Sequence, residues 1–328
     1  MKIKIQITLI LMLAVVFGFA CGKFSTVPTE FPTPEPPPRS TPAPKLELKR
    51  DAELEKTIAK IADAAKGKVG VAAVVLETGQ SATLNADQHF PMQSVYKLPI
   101  AMAVMEQVKR GELDLDEKIG VTKEDMVREG QGSPLRDANP NGGEFTIREL
   151  IRLALIESDG TASDVLMRLA GGPDEIQSYL TQIGIRDMKV VNTEKELGAN
   201  WQTQYENWAT PAAAVDLLRS MREWRQGADD KDLVLHQFMA ASVPGEKRLK
   251  GLLPKGTWVA HKTGTGGTQN GITGATNDIG IISLPNGKHL AIAVFVSDSP
   301  ADEKTREAVI AKIAKACWDR WSLEAKSK

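Results

Sequence analysis

Apolar residues recur at different spacings along this chain, and the changes of spacing divide it. Residues 48–66 place Leu54, Ile58, Ile61 and Ala62 between charges, the helical period that buries one face. Residues 69–76 (VGVAAVVL) switch to a continuous β-branched run between Gly67 and Gly79, which predicts a strand with 82–84 as its hairpin partner. From about Met92 to Met239 helical spacing dominates, most clearly over 146–156, 161–169 and 211–224. Strand-like runs return at 257–261, 279–284 and 290–296, the last two joined by the turn signal Pro285-Asn286-Gly287-Lys288. An amphipathic helix over 301–321 closes the pattern. Strands at both ends with helices between predict an α/β chain of the α+β type. One antiparallel sheet is completed by both chain ends and flanked by helices, with an inserted all-helical lobe. A small-molecule site is expected in the cleft between sheet and lobe.

The first 45 residues follow a different pattern. Lys2 and Lys4 precede a mostly apolar stretch, 5–19, and Gly18-Phe19-Ala20 ends on a small residue, which reads as a signal peptide over 1–20. Cys21 follows at once and resembles a bacterial lipoprotein site, although Gly18 stands where such sites usually carry Leu. The alternative is ordinary cleavage after Ala20, which leaves Cys21 as a free thiol. Residues 27–44 (VPTEFPTPEPPPRSTPAP) are Pro-rich with almost nothing to bury, an extended tether of roughly 50–60 Å. Residues 21–45 are therefore expected to hold the lipidation site and tether, and 46–328 the globular domain. The expected location is exported and periplasmic, with membrane anchoring if Cys21 is lipidated. Cys21 and Cys317 are the only cysteines, so a core free of disulfides is expected.

Composition adds exclusions. The 328 residues are 42% hydrophobic and 25% charged, ordinary for a globular enzyme. Lys+Arg 41 against Asp+Glu 42 gives a net charge of -1 and no electrostatic reason for a nucleic-acid partner. His89, His236, His261 and His289 lack metal-ligand spacing, so no metal is expected. Nothing signals an oligomer, and a monomer is the default.

Three short motifs carry the candidate chemistry. Ser94 and Lys97, at i and i+3, share one helical face. A serine hydroxyl needs an adjacent base to act as a nucleophile. Lys97 fills that role, directly or through a water, if burial by the apolar run 98–105 lowers its pKa. Pro99 removes a donor that would face Val95, so a kink or local break is expected there. Lys262-Thr263-Gly264-Thr265 follows the strand-like run 257–261. Lys262 offers a point charge for a substrate carboxylate, the hydroxyls of Thr263 and Thr265 can bond to it, and Gly264 lets a ligand approach the strand backbone. Ser158-Asp159-Gly160 opens the helix 161–169, where Ser and Asp also serve as ordinary N-caps. Each motif alone has such a plain reading.

Together they are more specific. Ser94-x-x-Lys97, Ser158-Asp159-Gly160 and Lys262-Thr263-Gly264 keep the order and approximate spacing of the S-x-x-K, S-D-N and K-T-G set. Over roughly 46–321 the chain resembles the class A serine β-lactamases. The likeness is greatest to the extended-spectrum subgroup with long inserts, through Gln204-Tyr205-x-Asn207-Trp208 and HKTGTGG-x6-GATND-x-GII. This resemblance implies a β-lactamase/transpeptidase-like fold and hydrolysis of β-lactam antibiotics without a cofactor. It implies Ser94 as nucleophile, Lys97 as its activating partner and Ser158 as proton shuttle to the leaving ring nitrogen. The N–H groups of Ser94 and Thr265 would form the oxyanion hole, with Lys262, Thr263, Gly264 and Thr265 as the carboxylate site. Class A members add a glutamate on a surface loop that aims water at the acyl ester, and penicillin-binding proteins lack it. Glu194, eleven residues before Tyr205, matches that glutamate, and its neighbour Glu196 does not.

Some positions depart from the family. Gly160 stands where Asn is usual, and Gly198 where Asn commonly helps hold the hydrolytic water. Asn192 and Asn207 occupy positions where many members pair Arg with Asp. The arginine often found near the carboxylate site is missing from Ile279-Gly280, and Arg248 is the candidate substitute, against a plain surface charge. Two rivals remain at this point: a D-alanyl-D-alanine peptidase or penicillin-binding protein, and a β-lactam-binding sensor without turnover.

Overall fold

The computed structural model describes residues 46–223 and 230–322. The expected signal peptide, Cys21 and the Pro-rich stretch lie outside the described residues. Five of the seven strands of the main sheet are longer than two residues: β1 (Lys68–Val75), β2 (Gln80–Leu84), β3 (Val259–Thr265), β4 (Ile272–Ser283) and β5 (His289–Ser299). Their order is β2-β1-β5-β4-β3, antiparallel throughout, so strands from the two ends of the domain meet at β1 and β5. One parallel pair is added at the edge, where Lys49 and Arg50 align with Gln80 and Ser81. The turn between β4 and β5 closes as its residues predict. Gly287 takes a φ of 77°, and the Leu284 N–H donates to the Lys288 carbonyl (2.9 Å).

Alternation along β1 serves two cores. Val71, Ala73 and Val75 face helices α1 (Ala52–Ala62) and α8 (Glu303–Ser322), packing with Ile58, Ile292, Ile313 and Trp321. Ala72 and Val74 join the opposite core with Phe90, Phe295 and the helical lobe. Helix α1 starts at Asp51, whose side chain accepts from the Leu54 N–H, and it buries Leu54, Ile58 and Ala62. Cys317 is fully buried against the sheet, and burial pushes its thiol pKa up.

The lobe contains α2 (Lys97–Lys109), α3 (Ile147–Arg152), α4 (Gly160–Leu169), α5 (Pro173–Gln182), α6 (Pro211–Glu223) and α7 (Asp230–Ala240). It also carries short strand pairs, Lys118–Val121 with Gly143–Thr146 among them. Helix α2 is buried almost all round, which explains its run of apolar residues. The break expected near Pro99 falls earlier: a 3₁₀ turn, Gln93–Tyr96, gives way to α-helix at Lys97. Pro99 is then in the first α-helical turn, where a missing N–H costs nothing. The segment 146–156 is not one straight helix either. After Arg152 the chain widens to a π-turn over Leu153–Glu157 and ends on Ser158 at a left-handed φ of 60°.

Candidate active site

The 3₁₀ turn over Gln93–Tyr96 has three residues per turn, so Ser94 and Lys97 stand nearly in line. Gln93, at a φ of 48°, forms the bend that leads into it. Two contacts fix that bend against the sheet. The Asn277 side-chain amide donates to the Pro91 and Met92 carbonyls (2.8 and 3.2 Å). A Cβ built on Gly264 would lie 2.2 Å from the same Met92 carbonyl oxygen. Gly264 thus makes room for the protein's own chain, and that closeness registers Ser94 against β3.

Lys97 is 1% exposed, and its ammonium donates to the Ser158 carbonyl (2.7 Å) and pairs with Glu194 Oε2 (3.1 Å). Lys262 is fully buried and donates to Ser158 Oγ (2.9 Å) and the Thr263 carbonyl (3.2 Å). Ser158 therefore sits between the two lysines. Burial, and then the nearby Lys97 charge, push the Lys262 pKa well below the usual lysine value, against the pull of Glu194 and Asp278. The lysine motif forms the final four residues of β3, the strand end that its sequence position predicts, paired with Thr276, Asn277, Asp278 and Ile279 of β4.

Asp159, next in sequence, is a framework group. Its carboxylate caps α4 through the Ala162 N–H (2.8 Å) and accepts from Ser133 Oγ (3.0 Å) and the Leu135 N–H (2.7 Å). Arg248 is only 4% exposed, so it is no solvated surface charge. Its guanidinium donates to Thr265 Oγ1 (2.8 Å) and the Asn277 carbonyl (3.0 Å) and pairs with Glu307 (3.2 Å). Asp278 holds the segment bearing Arg248 by accepting from the Leu249 N–H (3.1 Å) and lying 2.9 Å from His261 Nδ1.

Glu194 opens a four-residue helix, Glu194–Leu197, capped by Thr193. Glu196 is occupied by that capping box, accepting from the Thr193 N–H (2.8 Å) and hydroxyl (2.9 Å). The Glu194 and Lys195 N–H groups donate to Asp164 (2.6 and 3.0 Å). Burial, then the Glu194 charge, push Asp164 up to about 6 against those two donors. Burial also acts to raise the Glu194 pKa. Lys97, the Tyr96 hydrogen bond and Lys262 together outweigh it, so the net shift is below the usual glutamate value.

The departures from the family acquire physical reasons here. A Cβ at Gly160 would lie 2.7 Å from Glu194 Cγ, so the missing side chain is the space Glu194 occupies. A Cβ at Gly198 would meet the Gln131 amide at 2.7 Å, and that amide donates to the Glu194 carbonyl. The loop neck has no Arg–Asp pair. The buried Asn207 accepts from the Val191 and Asn192 N–H groups (2.8 and 2.9 Å) and donates to the Asn192 carbonyl (2.8 Å). Sequence reasoning missed Tyr96, Gln131, Ser133 and Asp164 because each reaches its partner across at least 26 residues.

Between β3 and the Glu194 loop lies a cleft of 570 Å³ lined by Gln93, Gly132, Glu194, Trp201, Thr265 and others. That is within the size of small-ligand sites, about 300–1,000 Å³. Among the described residues no group of three His, Cys, Asp or Glu is gathered as metal ligands. Glu194 lines this cleft, Ser94 follows its lining residue Gln93 in sequence, and Lys97, Ser158 and Lys262 are linked to Glu194 behind it; such a set can carry out acyl transfer to serine followed by attack of water.

The fold and site thus define a serine hydrolase built between a sheet and a helical lobe. Residues 53–321 match the family described as the beta-lactamase enzyme family. Beta-lactamase VEB-1 of Pseudomonas aeruginosa is 38% identical over 274 residues, covering 82% of this chain and 91% of the relative. Extended-spectrum beta-lactamase PER-1 of the same organism is 39% identical over 267 residues, covering 81% and 86%. A beta-lactamase crystal structure from Chitinophaga pinensis superposes with a TM-score of 0.79 at 40% identity, covering 82% of this chain and 99% of that one. The TLA-3 extended-spectrum beta-lactamase structure gives 0.79 at 41% identity, covering 82% and 98%. The chain belongs to the beta-lactamase family, among the class A serine enzymes.

Proposed function

We propose that this class A β-lactamase opens the β-lactam ring with the Ser94 hydroxyl and releases the product with water deprotonated by Glu194. The observation that supports this most is that the Lys97 ammonium touches both the Ser158 backbone and the Glu194 carboxylate. In the first step Lys97, acting as the neutral amine, takes the Ser94 proton, directly or through a water, and becomes the ammonium. Ser94 Oγ bonds to the lactam carbonyl carbon, and the C–N bond breaks. Ser158 Oγ, bonded to Lys262, delivers a proton to the leaving nitrogen and takes in its place the one that Lys97 gained from Ser94. In the second step Glu194 takes a proton from water, whose oxygen attacks the ester; the acyl C–O bond breaks, and the proton returns to Ser94 Oγ to restore the hydroxyl. Lys262, Thr263 and Thr265 hold the drug's carboxylate, with Arg248 adding charge behind Thr265.

Turnover of a chromogenic cephalosporin tests the whole scheme. Ser94→Ala is expected to lose at least about 10³-fold in rate and to show no drug adduct by intact mass. An adduct on that variant would place the nucleophile elsewhere. An adduct on the native chain that is never released would mark a penicillin-binding protein. We also propose export to the periplasm with lipid attachment at Cys21, supported by the apolar leader and the Pro-rich stretch. Metabolic labelling with a tagged fatty acid should mark the native chain and not Cys21→Ala. Equal labelling of both would remove that assignment.

A further inference from the structure

Tyr96 makes a contact that the two-step scheme does not call for. Its hydroxyl, fully buried, donates to Glu194 Oε2 at 2.7 Å. The same oxygen is 3.1 Å from the Lys97 ammonium. One oxygen of the carboxylate is therefore engaged twice, and water must be taken up by the other. Ring burial alone would be served equally by phenylalanine, so packing does not account for the hydroxyl. Filling a vacant acceptor does not account for it either, since Lys97 already pairs with that oxygen.

We propose that Tyr96 is a positioning residue that sets the strength of Glu194 as a base, holding the carboxylate charged and making it a weaker proton acceptor than Lys97 alone would. This rests on the reading of Glu194 as the deacylating base. The groups acting on that carboxylate come from three sides: Tyr96 and Lys97 at the start of α2, Asp164 from α4, and Lys262 from β3. Tyr96 is the one among them that can lose its hydrogen bond without any change of charge. It stays a donor at every working pH, because burial and then the Glu194 and Asp164 charges push its own pKa well above the usual tyrosine value.

The sign follows from which form is favoured. A hydrogen bond donated to the carboxylate favours the charged form and lowers its pKa, so removing it raises that pKa. Glu194 must be ionised to take a proton from water. In Tyr96→Phe the acid limb of deacylation therefore moves to higher pH, by about half a unit or more. Lys97 still holds Oε2, so the carboxylate keeps its direction. Above the limb the stronger base works about twofold to threefold faster.

The experiment acylates the enzyme with a penicillin, jumps the pH, and follows loss of the adduct mass over time. Acylation rates should agree between native and Tyr96→Phe within about twofold, with only the deacylation limb displaced. In a Glu194→Gln background, Tyr96→Phe should change nothing further, because the hydroxyl acts through the carboxylate alone. A limb that stays in place overturns the proposal, whatever the change in melting temperature, as does an equal effect in both backgrounds. If Glu194→Gln instead turns over rapidly, the deacylation scheme itself fails and this role of Tyr96 falls with it.

Discussion

Glu194→Gln is expected to stop the reaction between its two steps. Glutamine keeps the length of the side chain and still accepts from the Tyr96 hydroxyl, but it cannot take a proton from water. Turnover should fall by about 10²–10⁴-fold, the range a positioned general base supplies. Acylation should slow by less. Lys97 loses its partner at 3.1 Å, while Ser158 and its bond to Lys262 are untouched. Mixing the variant with a penicillin and recording intact mass should show one stoichiometric adduct, mapped to Ser94, that survives desalting. Rapid turnover, or no adduct at all, would take the base away from Glu194.

Gly264→Ala is expected to damage the first step. The new Cβ would fall 2.2 Å from the Met92 carbonyl oxygen and 3.1 Å from Gln93 Cβ. Neither neighbour is a flexible tip. The carbonyl belongs to the main chain and already accepts from Asn277. Either β3 or the turn bearing Ser94 has to move, and the distance between nucleophile and carboxylate site changes with it. Overpacking of this kind costs about 1–3 kcal/mol of stability. A displacement near an ångström costs roughly 10²-fold in rate. Thermal melting and kcat/KM for acylation measure the two losses. Native rates in this variant would show that the contact does not register Ser94.

The sheet and most helices were legible because their burial is periodic: β1 alternates between two cores, and α1 buries Leu54, Ile58 and Ala62 on one face. The motif residues were legible through their family likeness, not through spacing alone. Three features were hidden for separate physical reasons. The run LALIE has ordinary helical character, so nothing local announces the π-turn that delivers Ser158. Lys262-Thr263-Gly264-Thr265 ends β3 as its position predicts, but the burial of so polar a run was not legible, since the partners that allow it come from β4, Ser158 and Arg248. Tyr96 and Glu194 are 98 residues apart, and no local pattern links them. Gly160 and Gly198 gave the one available hint. Two side chains missing around one cleft suggest that something else fills it, and Glu194 and Gln131 do.

The neck formed by Asn207 has a consequence for how the enzyme meets harsh conditions. An ionic latch is screened in brine and comes undone when acid neutralises its carboxylate. The Asn207 amide carries no charge to shield and binds no proton, so the main chain at Val191 and Asn192 stays fastened in either medium. Asp164, which holds the loop bearing the base from the other side, has its pKa raised by burial to about 6, so the proton it gains in mild acid favours the closed loop over an opened, hydrated one.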